Sequence, residues 1–431
     1  MNNISDELRG VQFKGLYTSN YSIIFNLVSD DYRINFKSIN KKEYIIKCIK
    51  KTIKLILASI FKQYAITKSS KNTKKNIFLL LPGDMRKDIY KMFYGLYEII
   101  PDSNFISFKK ENSYKRFINT LVLYKYYYLF IWLIELRKCN LKFLQKVVIL
   151  KELIVIFEYQ YLLRKENISK YKNLIVYYDA HIYNNYFVQH YNTLGLQTIT
   201  LQHGIMLAPI KELHNNMDFV GIEFNGFVSK YFLVWNNFTL QQALKYGIPK
   251  EKIKILGVIK CLSVPSSSSK INNRCFGLVL DGKFTDKNNA KMITIANQIA
   301  EKLNYIFLVR FHPAYSRHEF DDILNFKYAK ICDPELSLYE YANSVEFSIV
   351  ANSTALIELV FMNHPIFRYT SNDITDKYKD LDYESFSSFE EFHFQYMNDN
   401  KTKQDKIFQE LCGGIKDVAL SYKSFFDELG K

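Results

Sequence analysis

Three short polar segments, each directly after an apolar run, contain the residues best suited to catalysis or ligand binding. The first is Leu201–Gly204, which contains His203, and the second is Arg310–Pro313, which contains His312. The third is Asn352–Glu358. Histidines, small hydroxyls and helix starts at the carboxyl ends of parallel strands are typical of phosphate-binding clefts. The sequence therefore predicts an enzyme that uses a nucleotide-activated donor.

His203 is the candidate general base. It follows the strand-like run Thr198–Leu201, and Gly204 permits a tight turn beside it. A neutral imidazole with an ordinary pKa of about 6.5 can deprotonate an acceptor hydroxyl. The alternative is a histidine that orients the acceptor or a donor phosphate without moving a proton. Asp179, at the end of the 174–178 run, is the rival base, and capping of the following helix is its other possible role.

Ser353 and Thr354 are candidate donor-phosphate contacts at the start of a predicted helix. Their hydroxyls and the first-turn amides can donate hydrogen bonds to a phosphate at the positive end of the helix dipole. Glu358, about one turn further on, can accept hydrogen bonds from ribose hydroxyls. Helix capping by Ser353 or Asn352 is the alternative, and it is a very common use of these residue types.

Two more loops supply candidate donor contacts. His312 follows the run Ile306–Phe311 and can donate a hydrogen bond to a leaving phosphate. Arg310 either assists in binding that phosphate or only pairs with another side chain in a structural role. Gly282 and Lys283 follow the first strand of the second half of the chain, where a loop of a doubly wound fold faces the cleft. Both residues are therefore candidate donor contacts.

Apolar runs alternate with helical stretches along most of the chain. The predicted strands are 76–81, 174–178, 197–201, 231–235, 252–256, 276–280, 305–311, 346–350 and 366–369. This alternation predicts an α/β protein with two series of parallel strands, which the serine-rich segment Ser263–Lys270 separates. Residues 1–260 are predicted to form an acceptor-side domain with an N-terminal hairpin at 11–37 and a helical insert. Residues 271–405 are predicted to bind the donor, and a C-terminal helix within 406–431 is predicted to cross back.

Two helical stretches are predicted before residue 170. The first, 42–65, has an apolar stripe flanked by lysines, so it either lies on an anionic bilayer or packs onto the domain with a basic outer face. The second, 115–165, contains an apolar segment that is too short to cross a membrane.

Composition limits the possible partners and cofactors. The chain has 431 residues and a net charge of +15, which favours polyanions, but no known nucleic-acid-binding motif is present. Six scattered cysteines and a polar N-terminus lead us to expect a reduced, cytoplasmic protein. The single D-x-D motif, Asp380–Asp382, lies in a late polar stretch, so we expect neither a metal nor another cofactor.

Several phrases between about residues 174 and 370 resemble those of a known group of enzymes. They are Leu201–Ile205, Val234–Asn236, Tyr246–Pro249, Ile255–Gly257, Phe311–Pro313 and Asn352–Glu358. Together they resemble bacterial GT-B glycosyltransferases of surface polysaccharide synthesis, such as the capsule and O-antigen enzymes. The chain is also similar to GT-B sialyltransferases and teichoic acid glycerophosphotransferases, and UDP-N-acetylglucosamine 2-epimerases share the general layout.

The resemblance implies a GT-B fold, in which two Rossmann-like domains face a central cleft. It implies that His312 contacts the donor phosphate, that Ser353 and Thr354 hold it, and that Glu358 meets the ribose. GT-B sialyltransferases carry an acidic base motif where this chain has Gln202-His203-Gly204. This difference leaves His203 as the corresponding base and argues against a sialic acid donor.

The implied reaction is metal-independent transfer of a sugar from a nucleotide sugar to a hydroxyl of a surface polysaccharide or lipid-linked glycan. By analogy with the family, it inverts the anomeric carbon and takes place peripherally on the inner face of the cytoplasmic membrane, in contact with anionic lipid. Two alternatives stay open. One is transfer of a polyol phosphate from a CDP-activated donor, and the other is a non-catalytic nucleotide- or glycan-binding partner.

Overall fold

A computed structural model gives the architecture of most of the chain. The described residues are 13–14, 16, 50, 62–68, 75–81, 87–112, 120–141, 143–179, 181–206, 227–263, 274–282, 286–312, 326–371, 376–381, 383–398 and 401–429. The predicted hairpin at 11–37 and the predicted helix up to residue 61 lie almost wholly outside them. Lys283, Pro313 and Asp382 also lie outside them.

The first half of the chain forms a seven-stranded sheet. Its strands are β1 (Lys62–Lys68), β2 (Asn76–Leu80), β3 (Ser103–Asn112), β4 (Asn173–Val176), β5 (Gln197–Leu201), β6 (Tyr231–Val234) and β7 (Ile253–Ile255). Their spatial order is β1-β3-β2-β4-β5-β6-β7, and only β1 runs antiparallel to its neighbour. Without β1, the order is 2-1-3-4-5-6, which begins like the flavodoxin-type variant of the doubly wound, Rossmann-like sheet. The order reverses between β2 and β4.

The second half forms another doubly wound sheet, with six strands that are all parallel. Its strands are β8 (Cys275–Val279), β9 (Ile306–Arg310), β10 (Ala329–Ile331), β11 (Ser348–Val350), β12 (Ile366–Tyr369) and β13 (Ser385–Phe386). The spatial order β10-β9-β8-β11-β12-β13 is 3-2-1-4-5-6, the order of a dinucleotide-binding Rossmann fold. Here the order reverses between β8 and β11, and ligands of doubly wound folds bind at the carboxyl ends of the strands at such a point.

The helices connect and cover the two sheets. They are α1 (Lys87–Ile99), α2 (Thr120–Lys138), α3 (Phe143–Lys165), α4 (Ile182–Thr193), α5 (Asn237–Tyr246), α6 (Asp286–Leu303), α7 (Leu338–Asn343), α8 (Ala355–Phe361), α9 (Phe389–Met397), α10 (Lys401–Cys412) and α11 (Val418–Leu429). Local sequence explains several of their ends. Asn236 caps α5 by accepting from the Thr239 N–H, and Gly247, in the left-handed region, ends that helix. Ser337 and Glu340 form a capping box at α7.

Three predicted helices differ in the structure. Residues 62–65 belong to strand β1 and not to the predicted 42–65 helix, because the chain there pairs antiparallel with β3. The predicted helical stretch 115–165 is a pair of helices, α2 and α3, so two apolar helices can pack on each other. The predicted C-terminal helix is split into α10 and α11, because Gly413 and Gly414 both take positive φ.

The C-terminal helices complete the core of the first half of the chain. Tyr422 and Phe426 of α11 are buried, and the ring of Phe426 lies 6.5 Å from that of Phe78 on β2. Asn236 donates a side-chain hydrogen bond to the carbonyl of Leu411 on α10. One continuous apolar cluster therefore includes side chains from both sheets and from both C-terminal helices. The domain limits at residues 260, 271 and 405 stay predictions.

Candidate active site

The loops after β8 and β11 flank the point where the strand order of the second sheet reverses. Asp281 joins them, since its Oδ1 accepts from the Asn352 N–H at 2.9 Å and its Oδ2 accepts from Asn288 Nδ2 at 2.7 Å. Asn289 holds the backbone of Asp281 through hydrogen bonds to both its N–H and its carbonyl. Burial raises the pKa of the Asp281 carboxyl to about 6. Sequence reasoning missed this role, although an acidic residue directly after a buried strand was a visible signal.

Gly282 and His312 lie together at the carboxyl ends of the neighbouring strands β8 and β9. A Cβ placed on Gly282 would lie 3.9 Å from the ring atoms of half-buried His312. Any larger side chain at residue 282 would therefore extend over the imidazole. These two predicted donor-side residues are therefore neighbours, while their contact with a donor stays a prediction.

The loop between β11 and α8 uses its polar groups in several local contacts. The buried Asn352 accepts from the Lys377 N–H at 2.8 Å, and the Ser353 carbonyl accepts from the Tyr378 hydroxyl at 3.1 Å. Ser353 Oγ accepts from the Ala355 N–H at 3.3 Å, a local contact of the kind that the capping alternative describes. Asn352 and Ser353 thus have structural contacts, whatever else they bind.

His203 lies at the carboxyl end of β5, in the first sheet. Its half-buried ring packs against the rings of Tyr177 and Tyr178, with centroid distances of 4.8 and 4.5 Å. Both tyrosines follow β4, the parallel neighbour of β5. The carboxyl ends of two adjacent strands therefore place two aromatic rings beside the imidazole.

Gln202 fixes the backbone on either side of His203. Its side chain is fully buried, and its Nε2 donates to the Gly204 carbonyl at 2.8 Å and to Thr239 Oγ1 at 2.9 Å. Its Oε1 accepts from the Trp235 N–H at 2.7 Å. Gln202 therefore positions the His203 loop, a role that sequence reasoning missed. A polar residue between a buried strand and a glycine turn was the available signal.

The loops of the two sheets meet each other at Gly204 and Thr354. A Cβ on Gly204 would lie only 3.6 Å from Thr354 Oγ1. A second bridge lies close by, because Lys260 Nζ is 3.2 Å from Glu358 Oε1 and both side chains are largely shielded from solvent. The His203 loop and the β11–α8 loop are therefore in direct contact with each other.

Comparison with solved structures identifies this two-sheet arrangement. The S. aureus MnaA structure with UDP matches 81% of this chain and 94% of its own, at 10% identity and a TM-score of 0.53. The Methanocaldococcus jannaschii UDP-GlcNAc 2-epimerase in complex with UDP-GlcNAc and UDP matches 82% and 99%, at 13% identity and a TM-score of 0.50. The chain has the GT-B fold.

Sequence comparison adds nothing to this result, since the chain matches no protein-family model and no curated protein. At identities this low, the structural likeness extends to the GT-B fold alone. Any assignment of chemistry to this GT-B cleft must come from its own residues.

Asp179, the rival base, is buried beside the backbone that leads into β6. One of its carboxylate oxygens accepts from the backbone N–H groups of Val228 and Ser229, at 3.0 and 2.8 Å. Burial raises the pKa of this carboxyl, and the hydrogen bonds from Ser229 partly oppose the rise. This geometry suits a residue that anchors the loop before β6, while its role as a base stays a prediction.

Arg310 contacts helix α7 and the segment that precedes it. Its guanidinium donates to the Leu336 carbonyl at 2.9 Å and lies 5.5 Å from the centre of the Tyr341 ring. The structural alternative for Arg310 therefore has direct geometric support. Lys283, the other basic candidate, lies outside the described residues.

The carboxylate of Asp380, the first residue of the D-x-D motif, pairs with the first half of the chain. Its Oδ2 lies 2.8 Å from Lys245 Nζ and accepts from Gln242 Nε2 at 3.0 Å. The hydrogen bond from Lys245 holds the pKa of Asp380 below its usual value. Within the part of the chain that the structure describes, no group of three histidine, cysteine or acidic side chains could hold a metal ion.

Proposed function

We propose that this protein is a metal-independent glycosyltransferase. It transfers a sugar from a nucleotide sugar to a hydroxyl of a bacterial surface polysaccharide or lipid-linked glycan, with inversion. The observation that carries the proposal is the contact between Gly204, next to His203, and Thr354, at the β11–α8 loop. It supports a single cleft with a basic imidazole on one side and a donor-binding Rossmann half on the other.

On the donor side, the reaction requires stabilisation of a departing nucleotide phosphate. His312 beside Gly282 can donate a proton or a hydrogen bond to that phosphate, and the Thr354 hydroxyl can donate from the opposite loop. Asp281 holds the two loops together through the Asn352 N–H, so these donors are positioned before the donor binds. Such preorganised donors stabilise charge most where water is excluded.

On the acceptor side, His203 would remove the proton of the attacking hydroxyl. The hydroxyl oxygen then forms a bond to the anomeric carbon as the bond to the nucleotide phosphate breaks, and the proton remains on the imidazole. The rings of Tyr177 and Tyr178 limit the rotation of His203, and Gln202 fixes its backbone. Removal of a general base typically slows a reaction by about 10²–10⁴-fold.

The choice of nucleotide is open to a direct experiment. A thermal-shift screen of CMP, CDP, UDP and GDP should show a rise in melting temperature with at least one of them, because a ligand that binds only the folded state stabilises it. The donor so identified should then release its nucleotide in an acceptor-dependent reaction that EDTA does not inhibit. Absence of any release at high enzyme concentration would instead indicate a non-catalytic binding protein.

Analysis of the product separates the two enzymatic alternatives. A glycosyltransferase adds a sugar and no phosphorus to the acceptor, whereas a CDP-polyol phosphotransferase adds a phosphodiester and releases CMP. Mass spectrometry of the product therefore tests the reaction class independently of the nucleotide identified by thermal shift.

We place the reaction at the inner face of the cytoplasmic membrane, where a lipid-linked acceptor would lie. No described helix is long and apolar enough to cross a membrane. The net charge of +15 supports peripheral attraction to anionic lipid. Of the lysine-flanked stretch 42–65, which the sequence offers for this contact, residues 42–61 lie outside the described residues except for Lys50, and residues 62–65 belong to β1.

A further inference from the structure

Helix α2 exposes large apolar side chains along one face. Trp132 and Leu136 are buried and attach the helix to the core of the first half. At about 100° per residue, the exposed side chains of Tyr127, Phe130 and Ile134 lie on the opposite side of the helix, and that of Leu133 lies on its flank. With one more residue at the start of α3, we call them the exposed apolar face: Tyr127, Phe130, Leu133, Ile134 and Phe143.

This exposure is large for an ordinary surface helix. Phe130 and Phe143 are 65% and 74% exposed, whereas an amphipathic helix of a globular protein keeps polar residues on its outer side. Contiguous exposed apolar patches of this kind mark interaction surfaces more often than scattered single residues do. Aromatic side chains are also enriched where proteins meet the membrane–water interface.

Basic residues border the exposed apolar face. Arg137 and Lys138 are exposed in the last turn of α2, next to Ile134, and Lys138 also pairs with Glu135 at 3.0 Å. A surface that joins aromatic side chains to a basic rim is complementary to an anionic bilayer, which offers an apolar interior below negative headgroups.

The direction of α3 locates this face relative to the cleft. Helix α4 begins at the carboxyl end of β4 and returns to the amino end of β5. Tyr183, at its start, donates to Glu152 at 2.6 Å, while Tyr191, at its end, donates to the carbonyl of Ile168, just beyond α3. Because α3 thus runs in the same direction as α4, its first nine residues extend about 13 Å beyond Glu152, towards the carboxyl ends of the strands.

The turn between α2 and α3 therefore lies towards the carboxyl ends of the strands of the first sheet, the edge at which His203 also lies. We infer that the exposed apolar face docks on an anionic lipid bilayer and brings the acceptor side of the cleft to the membrane. Phe130, Ile134 and Phe143 enter the headgroup boundary, and Arg137 contacts the headgroups. The part of this inference that concerns the acceptor rests on the proposed function, whereas the docking does not.

A second copy of the chain fits this face less well than a membrane does. A symmetric dimer through α2 would place Arg137 and Lys138 of both copies in one interface, between two chains that each carry a net charge of +15. A bilayer that contains anionic lipid offers the opposite charge to the same rim.

Co-sedimentation with vesicles tests the docking. The wild-type chain should bind phosphatidylcholine vesicles that contain phosphatidylglycerol, and binding should weaken with salt. The double variant F130S/I134S should bind at least about tenfold more weakly, since two apolar side chains no longer enter the interface. Arg137→Gln should weaken binding to the anionic vesicles by about fivefold, with little change on phosphatidylcholine alone.

The matched control is F394S/M397S on α9, in the second half of the chain. These two side chains are both 68% exposed, so the control removes a comparable exposed apolar surface elsewhere. It should bind vesicles as the wild type does. Circular dichroism and nucleotide-dependent thermal shifts should show that all variants are folded.

In the vesicle assay, three results would overturn the inference. They are no binding by the wild type, an equal loss of binding in the control F394S/M397S, and full binding by F130S/I134S. The last result would assign the membrane contact to another surface, such as residues 42–61. A wild-type dimer in light scattering that F130S/I134S converts to a monomer would also overturn it, by making the face a subunit interface.

Activity assays keep the docking and the proposed function distinguishable. If both hold, F130S/I134S loses transfer to a lipid-linked acceptor in vesicles and retains transfer to a water-soluble one. If the protein transfers nothing but its vesicle binding depends on Phe130 and Ile134, the docking survives and the proposed function fails.

Discussion

At the scale of single residues, the two histidines have different surroundings. His203 lies beside Tyr177 and Tyr178 in the first sheet, and His312 lies beside Gly282 in the second. In the proposed reaction, His203 would act on the acceptor and His312 on the donor. Substitution should separate these roles, provided that binding and turnover are measured independently.

We expect His203→Ala to reduce transfer by about 10²–10⁴-fold while nucleotide affinity stays near normal, because the base acts on the acceptor. His312→Ala should weaken nucleotide binding as well as turnover. Thermal shift or calorimetry measures the first quantity and a transfer assay the second. If His203→Ala kept near-full activity while Asp179→Ala, in folded protein, lost it, the base would be Asp179. If neither histidine mattered, the shared-cleft mechanism would be wrong.

Asp281 gives a pH dependence that is specific to the donor loops. Burial raises its pKa to about 6 from an ordinary value of about 3.9, so the folded state holds the proton more tightly than the unfolded state does. The contribution of this residue to the free energy of unfolding should therefore fall by about 3 kcal/mol as pH rises from about 4 to about 6 and beyond. Asp281→Asn should remove that part of the dependence.

Urea unfolding of the wild type and of Asp281→Asn, measured between pH 4 and 7, tests this expectation. Relative to the variant, the wild type should lose stability towards higher pH. Parallel curves for the two proteins would show that the Asp281 carboxyl titrates in the folded state as it does in the unfolded state.

At the scale of elements, the close packing between β8 and α7 requires a glycine, Gly277, on β8. A Cβ on Gly277 would lie 2.8 Å from Ser348 Oγ of β11 and would also meet the Tyr341 hydroxyl. That hydroxyl donates to the Leu308 carbonyl of β9 at 2.9 Å. The first strand of the second sheet can therefore carry only glycine here without displacing its neighbours.

We expect Gly277→Ala to lower the free energy of unfolding by about 1–3 kcal/mol, the usual cost of overpacking a core. The matched control is Gly95→Ala in helix α1, where no atom lies within 4 Å of the added Cβ. This control should be neutral or stabilise the protein by up to about 1 kcal/mol, because alanine favours helices over glycine. Equal effects of the two substitutions would contradict the packing argument.

At the scale of the whole molecule, the C-terminal helices bind the two halves into one structure. Cys412, at the end of α10, contacts the carbonyl of Ile357 on α8, and Asn236 of the first half bonds to Leu411. Helix α11 then packs against the first sheet through Tyr422 and Phe426. The relative position of the two sheets, and thus of the two histidines, depends in part on these helices.

Tyr422→Ala should destabilise the protein by about 3–5 kcal/mol, since it removes a fully buried aromatic side chain from this core. Leu420→Ala, on the exposed side of the same helix, should change stability by less than about 0.5 kcal/mol. Urea unfolding followed by fluorescence measures both. A small effect of Tyr422→Ala would show that α11 contributes little to the fold.

The sequence by itself determined much of the fold. Buried parallel strands are short continuous apolar runs, so β2, β5 and β12 were predictable nearly to the residue. Strand β3 was not, because Ser103, Asn104 and Ser107 are polar yet buried within it. The break between α10 and α11 was also missed, since the positive φ of Gly413 and Gly414 was not foreseen.

For the candidate site too, the sequence predicted some features and the tertiary structure decided others. Local sequence was enough to select His203, His312 and Thr354, because strand ends and helix starts are local features. Only the tertiary structure decided that Gly204 meets Thr354 and that Glu358 pairs with Lys260. These contacts join residues about 100 or more positions apart, and they exist only because two sheets and the helices between them pack in one arrangement. No local pattern encodes that packing, so the sequence alone could nominate the residues but could not bring them together.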